Sequence, residues 1–200
     1  MCGRYYVDDE TAREIEKVIR QVDEKLRNKA SGSITFPAKD MHPTDIAPVI
    51  VSAGQKLSCR TQRWGFPGFE GKQVIFNARS ESVLEKRMFR ESTLHRRVVV
   101  PATWFYEWNQ RKEKNIFSRK EQPVIFMAGI YNRYQDEDRF VILTTAANES
   151  MKPVHGRMPL ILEQEEILPW IFDDKKVEQI LQKTPCLLER KTEFEQISLF

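Results

Sequence analysis

Short apolar runs of strand character outnumber helical stretches in this chain and do not alternate with them. That pattern constrains the fold more than any other feature. The runs are 46–51 (bent by Pro48), 57–64, 98–100, 124–130 and 140–145. A doubly wound sheet needs strand and helix in regular succession. The pattern instead predicts an α+β fold, with a mixed, mostly antiparallel, barrel-like sheet and flanking helices. Residues 9–29 predict one helix, because Ile15, Val18, Ile19, Val22 and Leu26 fall on one face. Asp8 or Asp9 can cap its start, since a short carboxylate accepts from the free N–H groups there. Further helices are expected near 81–91, 164–172 and 175–183, and the turn-rich stretch 28–45 is expected as loop. With 200 residues the chain is expected to form a single domain, 1–200, around one core.

No apolar run approaches the ~20 residues that cross a bilayer, which predicts no membrane span. The opening MCGRYYVDDE has no apolar stretch of the kind a secretory signal carries. A cytoplasmic protein is expected, nucleoid-associated if bacterial. Cys2, Cys59 and Cys186 are too few and too widely spaced for a disulfide framework. With His42, His95 and His155 they form no CxxC or HExxH spacing, so no metal site is expected. Residues 163–200 hold five basic against nine acidic side chains, and the first 162 hold 27 against 20. A solvated surface accounts for this, and so does an anion-facing main body with an acidic C-terminal flank.

Four segments carry chemistry. Cys2 follows the initiator methionine, and a small second residue normally allows that methionine to be removed. The mature chain would then start with a 1,2-aminothiol, whose two groups ordinarily titrate near neutrality. Its amine can condense with an aldehyde, and its thiol can close a five-membered ring on the same carbon. An incidental cysteine at position 2 is the plain alternative. Asn77-Ala78-Arg79-Ser80-Glu81 offers an amide and a forked cation suited to phosphate, although Ser80 fits equally well as a helix cap. Glu107, in PATWFYEW (101–108), sits between aromatics, where partial desolvation suits acid–base work. Strand alternation places it with Phe105, and Trp104, Tyr106 and Trp108 on the other face. His155, in HGRMP (155–159), is the residue type best suited to donate a proton near pH 7.

MCGRY, WGF, NARSE, PATWFYEW, TTAAN (144–148) and HGRMP, in that order, resemble the SOS response-associated peptidase (SRAP) family, which handles abasic sites in DNA. Gly156 stands where that family commonly has an acidic or amide residue. The resemblance implies a compact, largely β fold with a basic groove for single-stranded DNA that contains abasic sites. It implies that Cys2 links itself to the lesion through amine and thiol as a thiazolidine, shielding the strand, with no cofactor needed because the electrophile is the DNA itself. Asn77 would hold the first residue and the sugar. Glu107 would orient the amine and move protons, and His155 would help to open the deoxyribose ring. Arg4, Arg79 and Arg157 would contact phosphates. Trp64, Phe66 and Pro67 would stack on or wedge against bases, and Thr145 would touch backbone or phosphate. Any peptidase character would amount to removal of the residue before Cys2. Two other readings stay open on the residues alone: an N-terminal-nucleophile hydrolase or amidotransferase, and a non-catalytic single-strand-binding module.

Overall fold

The computed structural model describes residues 2–25, 38–68 and 73–192, with the side chains of 22–25 left aside. Its strands are β1 (Tyr5–Val7), β2 (Lys39–Met41), β3 (Ile46–Ala53), β4 (Lys56–Trp64), β5 (Phe66–Pro67), β6 (Val74–Ile75), β7 (Asn77–Arg79), β8 (Arg97–Ala102), β9 (Trp104–Trp108), β10 (Lys114–Ser118), β11 (Ile125–Tyr134), β12 (Glu137–Ala146), β13 (Arg157–Pro159), β14 (Ile161–Leu162) and β15 (Glu189–Thr192). The helices are α1 (Asp9–Lys25), α2 (Arg87–His95), α3 (Ile167–Phe172) and α4 (Val177–Leu181).

Five strands close on themselves. β4, β3, β8, β11 and β12 pair antiparallel in turn, and a parallel β12–β4 contact completes the ring. A second sheet, ordered β15-β10-β9-β1-β2, is antiparallel throughout. The expected α+β, barrel-like architecture is therefore the one observed. β8 and long stretches of β3, β11 and β12 are apolar on both faces, because both are covered, whereas β4 carries polar and exposed residues. Val99 joins a core cluster with the helix residues Ile15, Ile19 and Trp170. Its neighbours Val98 and Val100 point the other way, into a cluster with Tyr5, Trp64 and Phe105. Burial of this kind stabilises by roughly 25 cal/mol per Å² of apolar surface.

Helix α1 starts where the carboxylate of Asp8 accepts from the N–H groups of Glu10 and Thr11 at 3.1 and 3.0 Å. The predicted face holds at Ile15, Val18 and Ile19; Leu26 lies outside the described residues. The helix expected at 81–91 is split. A 3-10 turn at Ser80–Ser82 is separated from α2 by Lys86 in an extended conformation. Within the expected loop 28–45, β2 forms because β1 lies beside it to pair with. At Gly65 the φ is +114°, and a Cβ there would meet Val74 Cγ1 at 2.3 Å. Only glycine fits that corner, which turns β4 into β5.

Candidate functional site

Three distant motifs meet on β12. β7 runs parallel to it, with Ile142 opposite Asn77 and Thr144 opposite Arg79. β13 runs antiparallel to it, with Thr144 opposite Pro159 and Ala146 opposite Arg157. Cross-strand partners share a face, as do residues two apart on one strand. Asn77, Arg79, Thr144 and Arg157 are therefore presented together.

Cys2 is drawn to this face by a bond across the chain: Asn77 Nδ2 donates to the Cys2 carbonyl at 3.0 Å. The cysteine is 1% exposed and packs in the cluster that holds Tyr5, Phe105 and Ile142. Glu107, 5% exposed, lies on β9 two residues from Phe105, whose strand partner is Tyr5. Burial, and after it the nearby Glu107 charge, push the Cys2 thiol up to about 12. The expectation of a thiol titrating near neutrality is corrected here. That value belongs to a solvated cysteine, and Cys2 is neither solvated nor remote from a carboxylate.

His155 is held by the residue two places on. Its Nδ1 accepts from the Arg157 N–H at 2.9 Å, and the Arg157 carbonyl lies 3.2 Å from the same atom. A neutral ring can take the N–H bond and carry its proton on Nε2, and a protonated ring can donate to the carbonyl. Nδ1 thus has a partner in either state. Gly156, between them, has no left-handed backbone and open space where a Cβ would stand, so the fold there does not require glycine.

The arginines divide into two groups. Arg157 grips Glu81 in a fork, Nη1 to Oε1 at 2.5 Å and Nη2 to Oε2 at 2.8 Å, and also donates to the Thr144 carbonyl. The fork holds the Glu81 carboxyl below its usual range. Arg4 is ion-paired with Asp40, and its guanidinium lies 4.8 Å from the Tyr106 ring centroid. Burial works to raise the Asp40 carboxyl, but bonds from Arg4 and Tyr106 outweigh it and hold that group low. Arg79, by contrast, is exposed.

The expectation that Trp64 and Phe66 stack on bases is corrected by their burial, since both are 0% exposed. Trp64 packs against Tyr5, Phe76 and Phe140, and its Nε1 donates to the Phe76 carbonyl at 2.9 Å. Phe66 packs against Phe89 and Tyr134. Pro67 is half-buried beside them, and Thr145 is buried on β12. The exposed aromatic near Glu107 is Trp108, 37% exposed. Glu81 lies in NARSE and Thr144 in TTAAN, and neither motif by itself points to a role for them. The β7–β12 pairing that brings them to Arg157 joins residues more than 60 positions apart, and no local pattern announces it.

Two cavities flank the cluster. One, of about 710 Å³, runs past Trp108, Arg111, Lys152 and His155. The other, of about 330 Å³, lies against Asn77, Arg79, Lys86, Met88 and Thr144. Among the described residues, no three His, Cys, Asp or Glu side chains gather as a metal site would need, and no helix is long and apolar enough to cross a membrane.

Residues 1–198 match the sequence profile of the family described as SOS response associated peptidase (SRAP). The chain is 33% identical over 148 residues to the abasic site processing protein YedK of Escherichia coli, covering 64% of this chain and 66% of that protein. It is 28% identical over 193 residues to the abasic site processing protein YoqW of Bacillus subtilis, covering 86% and 80%. A crystal structure of a Bacteroides thetaiotaomicron protein shares the fold, with a TM-score of 0.76 at 22% identity over 96% of this chain and 91% of that one.

Proposed function

The chain belongs to the SOS response-associated peptidase family, and from that premise we propose that it senses abasic sites in single-stranded DNA by crosslinking itself to them. The observation that carries the reading is the Asn77 bond to the Cys2 carbonyl, which fixes residue 2 beside a buried carboxylate. Once residue 1 is removed, the free α-amine of Cys2 attacks the aldehyde carbon of the opened sugar. Water leaves and an imine forms. The thiol then adds across the C=N bond, sulfur to carbon and its proton to nitrogen, giving a thiazolidine with one water lost overall. A thiol as weakly acidic as Cys2 needs a proton acceptor, and Glu107 is the near carboxylate. His155 supplies the proton that opens the sugar ring. The strand's phosphates meet Arg79 and, by sharing with their carboxylate partners, Arg4 and Arg157. Peptidase character is confined to loss of residue 1.

Mass spectrometry of the protein mixed with abasic single-stranded DNA tests this. The expected product is an adduct that survives heat and denaturant. Cys2→Ser keeps an amine but not the thiol, so its adduct should persist only when trapped with borohydride. A stable adduct from Cys2→Ser would refute the thiazolidine.

A further inference from the structure

Tyr5, at the start of β1, carries a hydroxyl that the fold leaves unused. The residue is 0% exposed, and among the described residues its hydroxyl oxygen has no hydrogen-bond partner. Burying a hydroxyl without a partner costs stability that a phenylalanine in the same space would not lose. The ring packs 5.0 Å from that of Trp64, and Tyr5 shares an apolar cluster with Cys2 and with Phe105, its strand partner. Glu107, two residues on from Phe105, lies on the same face of β9. After burial, the Cys2 sulfur and then the Asp45 carboxylate are the charges that hold the phenol well above its ordinary range, so it stays protonated and available as a donor. Asp45 already accepts from the His42 N–H at 3.0 Å and pairs with Lys39 at 3.4 Å. The sulfur is poorly supplied. Its thiol lies 3.9 Å from the Arg4 carbonyl, and a backbone bond from Arg4 eases its ionisation without offsetting burial and Glu107. A sulfur that must carry charge to react is thus short of donors, and a buried donor in the same cluster is without an acceptor.

We propose that Tyr5 is the hydrogen-bond donor to the Cys2 sulfur during ring closure. The proposal rests on the crosslinking function above and assigns a residue to its second step. The sulfur bonds to the imine carbon, the π pair of the C=N bond moves to nitrogen, and the thiol proton reaches that nitrogen through Glu107. Tyr5 donates to the sulfur as it ionises and keeps its own proton throughout. Amine attack, which involves no sulfur, does not call on it.

Tyr5→Phe deletes the hydroxyl and keeps the ring. Wild type and variant are mixed with abasic single-stranded DNA, quenched with borohydride over a time course and digested. Borohydride reduces an imine and leaves a thiazolidine, so mass spectrometry reads the two separately. In Tyr5→Phe the early ratio of imine to thiazolidine should rise roughly ten- to hundredfold, the range of a hydrogen bond to a charged group. In the Cys2→Ser background, where only the amine step remains, Tyr5→Phe should not change the rate at which trapped adduct forms. The calorimetric melting temperature should stay the same or rise, because an unpartnered buried hydroxyl has been removed. An unchanged imine-to-thiazolidine ratio would overturn the assignment, as would slower trapping in the Cys2→Ser background. A lower melting temperature would overturn it too, since the hydroxyl would then be bonded within the resting fold. Absence of any adduct from the wild-type protein would instead overturn the function on which the assignment rests.

Discussion

Raising the pH on chain prepared with methionine removal inhibited perturbs the reaction centre at the Cys2 thiol. A cysteine with the ordinary value of 9.0 is ionised at pH 8 in about one molecule in eleven, and one raised to about 12 in roughly one in ten thousand. Iodoacetamide reacts with the thiolate, so labelling of Cys2, read by peptide mass spectrometry, should run roughly a thousandfold slower in the folded chain than in urea. Burial also blocks access, and the pH profile separates the two causes. The folded chain's rate should keep rising about tenfold per pH unit beyond pH 9, while that of the unfolded chain levels off. Glu107→Gln should speed labelling yet leave it short of the unfolded rate, because burial is the larger cause. The same shift affects stability. Above pH 9 the unfolded chain loses a proton that the native chain keeps, so stability falls as pH rises toward 12, by about 4 kcal/mol for the full three-unit gap. A Cys2 labelling profile that levels off near pH 9 in the folded chain would refute the reasoning.

Glu81→Gln should weaken the Arg157 fork and loosen the backbone that holds His155 Nδ1; crosslinking to abasic DNA should slow more than capture of an aldehyde that cannot form a ring, and equal slowing on both would remove Glu81 from positioning the histidine. Trp64→Ala should cost about 3–5 kcal/mol through the cavity left among Tyr5, Phe76 and Phe140, lowering the calorimetric melting temperature by about 6–20 °C. An unchanged melting temperature with lost DNA binding would instead restore Trp64 to a stacking role.

The barrel strands were legible because their signal is local: Val98–Val100 reads as strand from its own residues and lies in one. β5, β6 and β7, two or three residues each, were not, since such short strands exist only through their partners. The same division holds at the site. NARSE and HGRMP announce residue types suited to phosphate and proton transfer, and both lie on β12 or beside it. The burial of Trp64 and Phe66 was hidden, because an aromatic flanking a glycine looks alike as platform and as core. What decides between them is Tyr5, Phe140 and Phe89, distant in sequence. The thiol shift was hidden for a related reason. A residue near a chain end is usually solvated, and Cys2 is enclosed by strands that follow it by tens of residues.

The charges around Cys2 fit the order of the proposed chemistry. Arg157 and Arg4 are each held by a carboxylate, Glu81 and Asp40, while the exposed cations Arg79, Lys86, Arg111 and Lys152 line the two flanking cavities. On the proposed function these flanking cations meet the strand together with Arg4 and Arg157, and the centre keeps a carboxylate, Glu107, near the thiol. A carboxylate there opposes thiolate formation before the aldehyde arrives, which protects the cysteine from stray electrophiles and oxidants. Once the amine has formed a protonated imine, a positive charge stands beside that carboxylate, and the electrostatic penalty on the thiolate falls. On the proposed function the amine therefore attacks first, and the bond it forms eases the later attack of the thiol by offsetting the Glu107 charge, the smaller of the two causes that hold the thiol up.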